Sequence, residues 1–186
     1  MINAWALPSS AVIDGKEYKI NADFRDVLEI IHYLTDSSRP DFIRWQIALG
    51  LFYVDIIPEH HQQKAMEYLS QFISYGSTEA KPGPKLLDWD KDSQMIVADV
   101  NKVAGFEIRA VPFLHWWTFL SYFYGIGEGQ LSNVVSIRNK KAKGKKLEKW
   151  EQEYYRENKS VIDIKPAETE ETRAEKDDIL KFLRGE

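Results

Sequence analysis

The sequence predicts a mainly α-helical fold: a single helical domain of about six helices with an N-terminal β-hairpin. Three observations predict it. Apolar residues recur at i, i+3, i+4 and i+7 along much of the chain, with Pro near the starts of these runs and Gly near their ends. Asp14-Gly15, a strong two-residue turn signal, separates the short runs 11–13 and 16–20. A chain of 186 residues that is 44% apolar has enough material for one core, and two would be a squeeze.

The hairpin run ending in Tyr18, Lys19 and Ile20 alternates apolar and polar. An isolated hairpin is marginal in water, so it must lie on the helices or pair with a further strand. Asn21 or Asp23 suits the N-cap of a first helix, whose Val27, Ile30, Ile31 and Leu34 form a stripe that ends at Ser38-Arg39-Pro40. Pro40 opens a second helix, from Phe42 to about Val54, apolar on nearly all sides and hence expected to be buried. Pro58 opens a third, with Ala65, Met66, Leu69, Phe72 and Ile73 inward and Gly76 as its stop. Residues 76–84 are rich in Gly and Pro and read as a connection inside the domain, with two lobes as the alternative.

A fourth helix follows Asp88-Trp89-Asp90-Lys91-Asp92, with Ile96, Val97, Val100 and Val103 inward and Gly105 at its end. Pro112 to Gly125 then holds His-Trp-Trp-Thr-Phe-Leu-Ser-Tyr-Phe-Tyr. On a helix its only clearly polar groups, His115, Thr118 and Ser121, fill an arc of about 120°. Such a segment belongs in a core or an interface, and it falls short of the roughly 20 residues a membrane span needs. Pro112 suits its first turn and Gly125 a left-handed stop. Leu131, Val134, Val135 and Arg138 begin a sixth helix, expected to continue through Leu147, Trp150 and Tyr154 either unbroken or with a break at Gly144. The helical domain is thus 1–164, and 165–186 is a polar, acidic tail with a short helical segment from Asp177 to Leu183. No internal repeat is present.

Cysteine is absent, which removes disulfides, thiol nucleophiles and zinc-thiolate sites and points to a reducing compartment. The N-terminus lacks the basic start and long apolar run of a signal peptide, so a soluble intracellular protein without a membrane role is expected. Asp88, Asp90, Asp92 and Asp99 echo an oxygen-ligand loop for calcium. Ser93 stands where the sharp turn needs Gly, though, and Ile96 occupies a ligand position, so helix capping accounts for these aspartates better than metal does. His60 and His61 are adjacent and point about 100° apart on a helix, a poor chelate. His115 reads as a buried ring satisfied by a backbone carbonyl, with nearby hydroxyls bonding to the preceding turn. No phosphate loop, nucleophile elbow or metalloprotease motif appears, and neither enzymatic chemistry nor a cofactor is expected.

Between Arg138 and Lys149 seven basic residues face one acid, Glu148. An acidic protein surface or solvent suits this run. Nucleic acid is the alternative, disfavoured by the net charge of −4 and by the lack of an aromatic inside the run.

Several of these residues together resemble the bacteriophage "gene product fifteen" family of long-tailed phages. They are Asp23-Phe24-Arg25 with Leu28; Asp88-Trp89 and Asp92 with Ile96 and Ala98; Gly105 and Ile108; Leu114-His115-Trp116-Trp117 and Phe119; and Leu131, Val134, Ile137 and Arg138 before a lysine-rich helix ending near Tyr154-Tyr155. The pattern runs from about Ala11 to Tyr155. The resemblance implies a helical, non-enzymatic tail assembly chaperone that binds the tape-measure protein before the tail tube polymerises. It further implies a place in the host cell cytoplasm, absence from the mature virion, contact with the tail tube protein and self-association. It supplies no catalytic, cofactor or metal residues. For partner contact the residues favour Trp116, Trp117 and Phe119, as apolar surface or the core beneath it, and Arg138, Lys141, Lys145 and Trp150, on or beside the basic run.

Overall fold

A computed structural model describes residues 5–75 and 83–164. Among them are eight helices and one two-stranded sheet, so the fold is mainly helical with an N-terminal hairpin, as the sequence predicts. Strands β1 (Ser10–Ile13) and β2 (Lys16–Lys19) pair antiparallel, with Ala11 opposite Tyr18 and Ile13 opposite Lys16. Asp14 and Gly15 both take positive φ, the condition for a tight turn that follows the twist of the strands. Ala11, Ile13 and Tyr18 turn inward. The hairpin has the support it needs: Ile20 bridges Tyr53, the Val54 N–H donates to Lys19, and the Tyr68 hydroxyl donates to Ser10.

Helix α1 (Phe24–Thr35) starts at Asp23, whose side chain accepts the Arg25 N–H. Helix α2 (Asp41–Phe52) returns along it and buries Ala48, Leu49 and Phe52. The expectation that α2 is buried on nearly all sides is corrected here. Phe42 is 67% exposed, and Ile43, Trp45, Ile47 and Leu51 are only partly covered. The physical reason is that α1 and α3 (Glu59–Ile73) pack on part of its circumference and leave the row of Phe42, Gln46 and Gly50 to solvent. Helix α3 buries His61, Ala65, Leu69 and Phe72, and Tyr75 beyond it takes φ 58°. The expected stop at Gly76, most of the connection 76–84, and the tail 165–186 with its short helix lie outside the described residues.

Helix α4 (Ser93–Ala104) ends at Gly105 in the left-handed conformation, where the sequence places it. Val100 and Ile96 are buried, but Val103 is 40% exposed and so is not inward as expected. Helix α5 (Trp116–Tyr124) begins four residues later than Pro112, because Val111 to Leu114 are held by α1 in a non-helical path. Gly125 is not a left-handed stop. Its φ is −78°, and what favours glycine there is closeness, since a Cβ would lie 3.2 Å from Val103. Helix α6 (Gln130–Ala142) ends before Gly144, which takes φ 63°, and α7 (Lys149–Glu157) and α8 (Lys159–Ile162) follow. The sixth predicted helix is therefore two, and it breaks at the glycine the sequence marks.

Buried residues from the hairpin and from α1 to α6 and α8 form one continuous core. No described helix is long and apolar enough to cross a membrane.

Candidate partner-binding surfaces

The segments that carry the family resemblance meet in space. Asp23 Oδ2 accepts the Leu114 N–H at 2.9 Å, while its Oδ1 accepts the Arg25 backbone and Nε groups at 3.0 and 2.7 Å. Burial works to raise the Asp23 carboxyl, but the hydrogen bonds from the Arg25 side chain and the Leu114 and Arg25 N–H groups outweigh it and leave the group below its ordinary range. Arg25 reaches on to the carbonyls of Val111 and Pro112. Phe24 N–H donates to Leu114, Trp116 N–H donates to Ala22, and the Phe24 and Phe119 rings stack with centroids 4.9 Å apart. Start of α1 and start of α5 are one seam.

Trp116, Trp117 and Phe119 are brought together in the core, each at most 3% exposed. The two indoles donate to the Ile73 and Phe72 carbonyls at the end of α3, at 3.1 and 2.9 Å, where Phe72 also accepts the Tyr75 N–H. Trp89 packs on Trp116 and Phe123. Of the two readings the sequence allows for these rings, surface or core beneath it, they take the second. His115 is buried as expected, its Nε2 3.0 Å from the Pro8 carbonyl, and Ser121 bonds back to Trp117. Unforeseen is that His115 Nδ1 accepts the Trp117 N–H and so caps α5.

Arg138 also lies inside. Nε donates to Ile162, Nη1 to Leu86 and Asp92, and Nη2 to Asp92 and Val161, so all five N–H groups are used. Asp92 stands at the N-cap position of α4, yet its carboxylate serves Arg138 and the Asp88 N–H rather than the first turn, which corrects the capping expectation. Its companions diverge: Asp88 takes Lys85 and the Lys91 N–H, Asp90 pairs with His32, and Asp99 caps α6 through the Leu131 N–H. The signal for the buried pair was present, since Arg138 falls on the apolar row of Leu131 and Val134.

Among the described residues, two surfaces are candidates for partners. The first is a groove of about 330 Å³ between α1, α2 and α3, lined by Leu34, Arg44, Trp45, Ser70 and Ile73, with Phe42 exposed on α2 one turn before Trp45. Sequence reasoning missed it by reading apolarity as burial. The second is the corner between α6 and α7. Lys140 holds the buried Glu151 carboxylate, with Nζ 2.8 Å from both oxygens. Lys141 bonds Asp163 at 2.6 Å and lies over the Tyr155 ring. Lys143, Lys145, Lys146 and Lys149 are exposed and form no ion pair among the described residues. Trp150 beside them is 52% exposed. Lys145 and Trp150 thus share this corner, Lys141 borders it, and Arg138 faces away.

Fold and surfaces define a small helical protein that presents a groove between three helices and a run of exposed lysines between α6 and α7. The chain belongs to the family described as Bacteriophage Gp15 protein, whose model matches residues 5–164, and it is therefore a bacteriophage protein. No curated protein and no solved structure matches it.

Proposed function

We propose that the protein is a tail assembly chaperone that binds the tape-measure protein through the groove between α1, α2 and α3 and the exposed Phe42 beside it, and acts by binding alone, in the host cytoplasm and outside the mature virion. The observation that carries this reading is a groove between α1, α2 and α3 whose lining combines Leu34, Trp45 and Ile73 with Arg44 and Ser70, beside the exposed ring of Phe42 on α2. An amphipathic helix laid into a groove is the recurrent way to cover one, and a long helical tape-measure chain offers such stripes and would aggregate through them before assembly. Family membership supports the phage setting. The tail tube protein and a second copy of the chain are further partners on this reading. In the basic run nucleic acid has only Lys143, Lys145, Lys146 and Lys149 left to it, the cations there that form no ion pair among the described residues, and no observation favours it.

Co-expression with the tape-measure protein of the same phage tests the proposal. Soluble tape-measure yield rises with the native chain and not with Phe42→Glu. An unchanged yield with the native chain, in cells where both proteins are made, overturns it.

A further inference from the structure

The lysine corner has an occupant close at hand. We infer that Lys143, Lys145, Lys146 and Lys149 bind the acidic stretch of this same chain that begins at Glu168, in cis, as an electrostatic cover. This is independent of the tail-assembly reading.

Three observations carry it. The pairing has already begun among the described residues: Asp163, near the last of them, sits on the basic helix, its carboxylate 2.6 Å from Lys141 and 3.0 Å from the Tyr155 hydroxyl, while Lys91 holds its carbonyl. The chain therefore leaves Ile164 next to the corner. Lys145 is close to the same spot, since its N–H donates to Lys140 at 2.8 Å and folds the Gly144 turn back over the last turn of α6. Within residues 168–178 the sequence then supplies the complementary charge, Glu168, Glu170 and Glu171, then Glu175, Asp177 and Asp178, against Arg173 and Lys176, with Lys165, Lys181 and Arg184 outside that stretch. From Ile164, four to seven residues reach at most about 14 to 25 Å, enough to set the first three glutamates against the lysines.

Each exposed pair is weak alone and screened by salt, but a tethered segment meets its site at an effective concentration of order millimolar. A polyanionic nucleic acid would have to displace this cover, and so would an acidic partner protein.

The chain has no cysteine, so Thr172→Cys in the full-length protein gives a single position for a nitroxide label. Line broadening of backbone amides is then read by NMR at low salt. Expected is loss of signal concentrated at residues 143–150, relieved in about 1 M salt, where the Debye length is about 3 Å, and abolished by E168Q/E170Q/E171Q or by K143Q/K145Q/K146Q. Absence of broadening at 143–150, or broadening there that survives both sets of substitutions, overturns the inference. A mixture of labelled protein without isotope and isotope-enriched protein without label should show no broadening. Broadening there would assign the site to a second copy and overturn the cis occupant.

Discussion

Asp92 and Arg138, 46 residues apart, form a two-point ion pair at 2.6 and 2.9 Å with side chains 0% and 4% exposed. The guanidinium also gathers the Leu86, Val161 and Ile162 carbonyls, so one side chain ties α6, α8 and the approach to α4. Breaking such a pair from one side strands a buried charge. Asp92→Ala is expected to cost about 3–5 kcal/mol in urea unfolding, while Asp92→Leu with Arg138→Met recovers much of the loss. A single variant with native stability would show that the pair contributes nothing.

The Asp23 carboxylate does two jobs, and its removal should show both. Asp23→Ala is expected to lose about 2–4 kcal/mol, from the cap of α1 and from the stranded Leu114 N–H. Hydrogen exchange at the Leu114 amide should accelerate. If it does not, the contact with α1 is not what protects that amide.

Helix existence was legible from periodicity because burial follows it, and the Asp14-Gly15 turn was legible because its backbone demands those residues. Less visible was which apolar residue a given neighbour would cover: Phe42 and Phe119 are the same letter, yet one is 67% and the other 1% exposed. Arg138 shows the converse. A count of charges places it with the lysines, and only its helical phase separates it from them. The start of α5 was misplaced because the tie that holds Leu114 comes from Asp23, 91 residues away, which no local pattern records.

Trp116 and Phe42 should therefore part company on substitution. Trp116→Ala is expected to cost about 3–5 kcal/mol, through the cavity and the lost bond to Ile73. Phe42→Glu should change stability by no more than about 0.5 kcal/mol and yet abolish the gain in tape-measure solubility. Thermal melts beside the co-expression assay separate the two.

Protonation of His115 should unfasten α5. Its Nδ1 must be bare to accept the Trp117 N–H, and burial lowers its pKa, only partly opposed by the bond to Pro8. A histidine depressed in the folded state contributes stability that is intact above its unfolded value of about 6.5 and is lost as pH falls through it. His32 runs the other way. Its bond to Asp90 raises its pKa, so its contribution is present below about 6.5 and lost as pH rises through the folded value, but both partners are exposed and the effect is small. Urea midpoints should thus fall on net from about pH 7.5 to 5.5. His115→Asn, which keeps a good cap without a titrating ring, should flatten that slope. An equal slope in the variant would place the titration elsewhere.

The seam where Ala22 and Phe24 meet Leu114 and Trp116 has a consequence for inheritance. Neither half of the gene encodes a part that can be traded alone: a hybrid joining residues 5–75 of one relative to 83–164 of another must match along that shared border. Recombination inside the reading frame is then expected to yield a folded product only between parents that agree at the side chains of that border, where Asp23 meets the Leu114 amide and Phe24 meets Phe119.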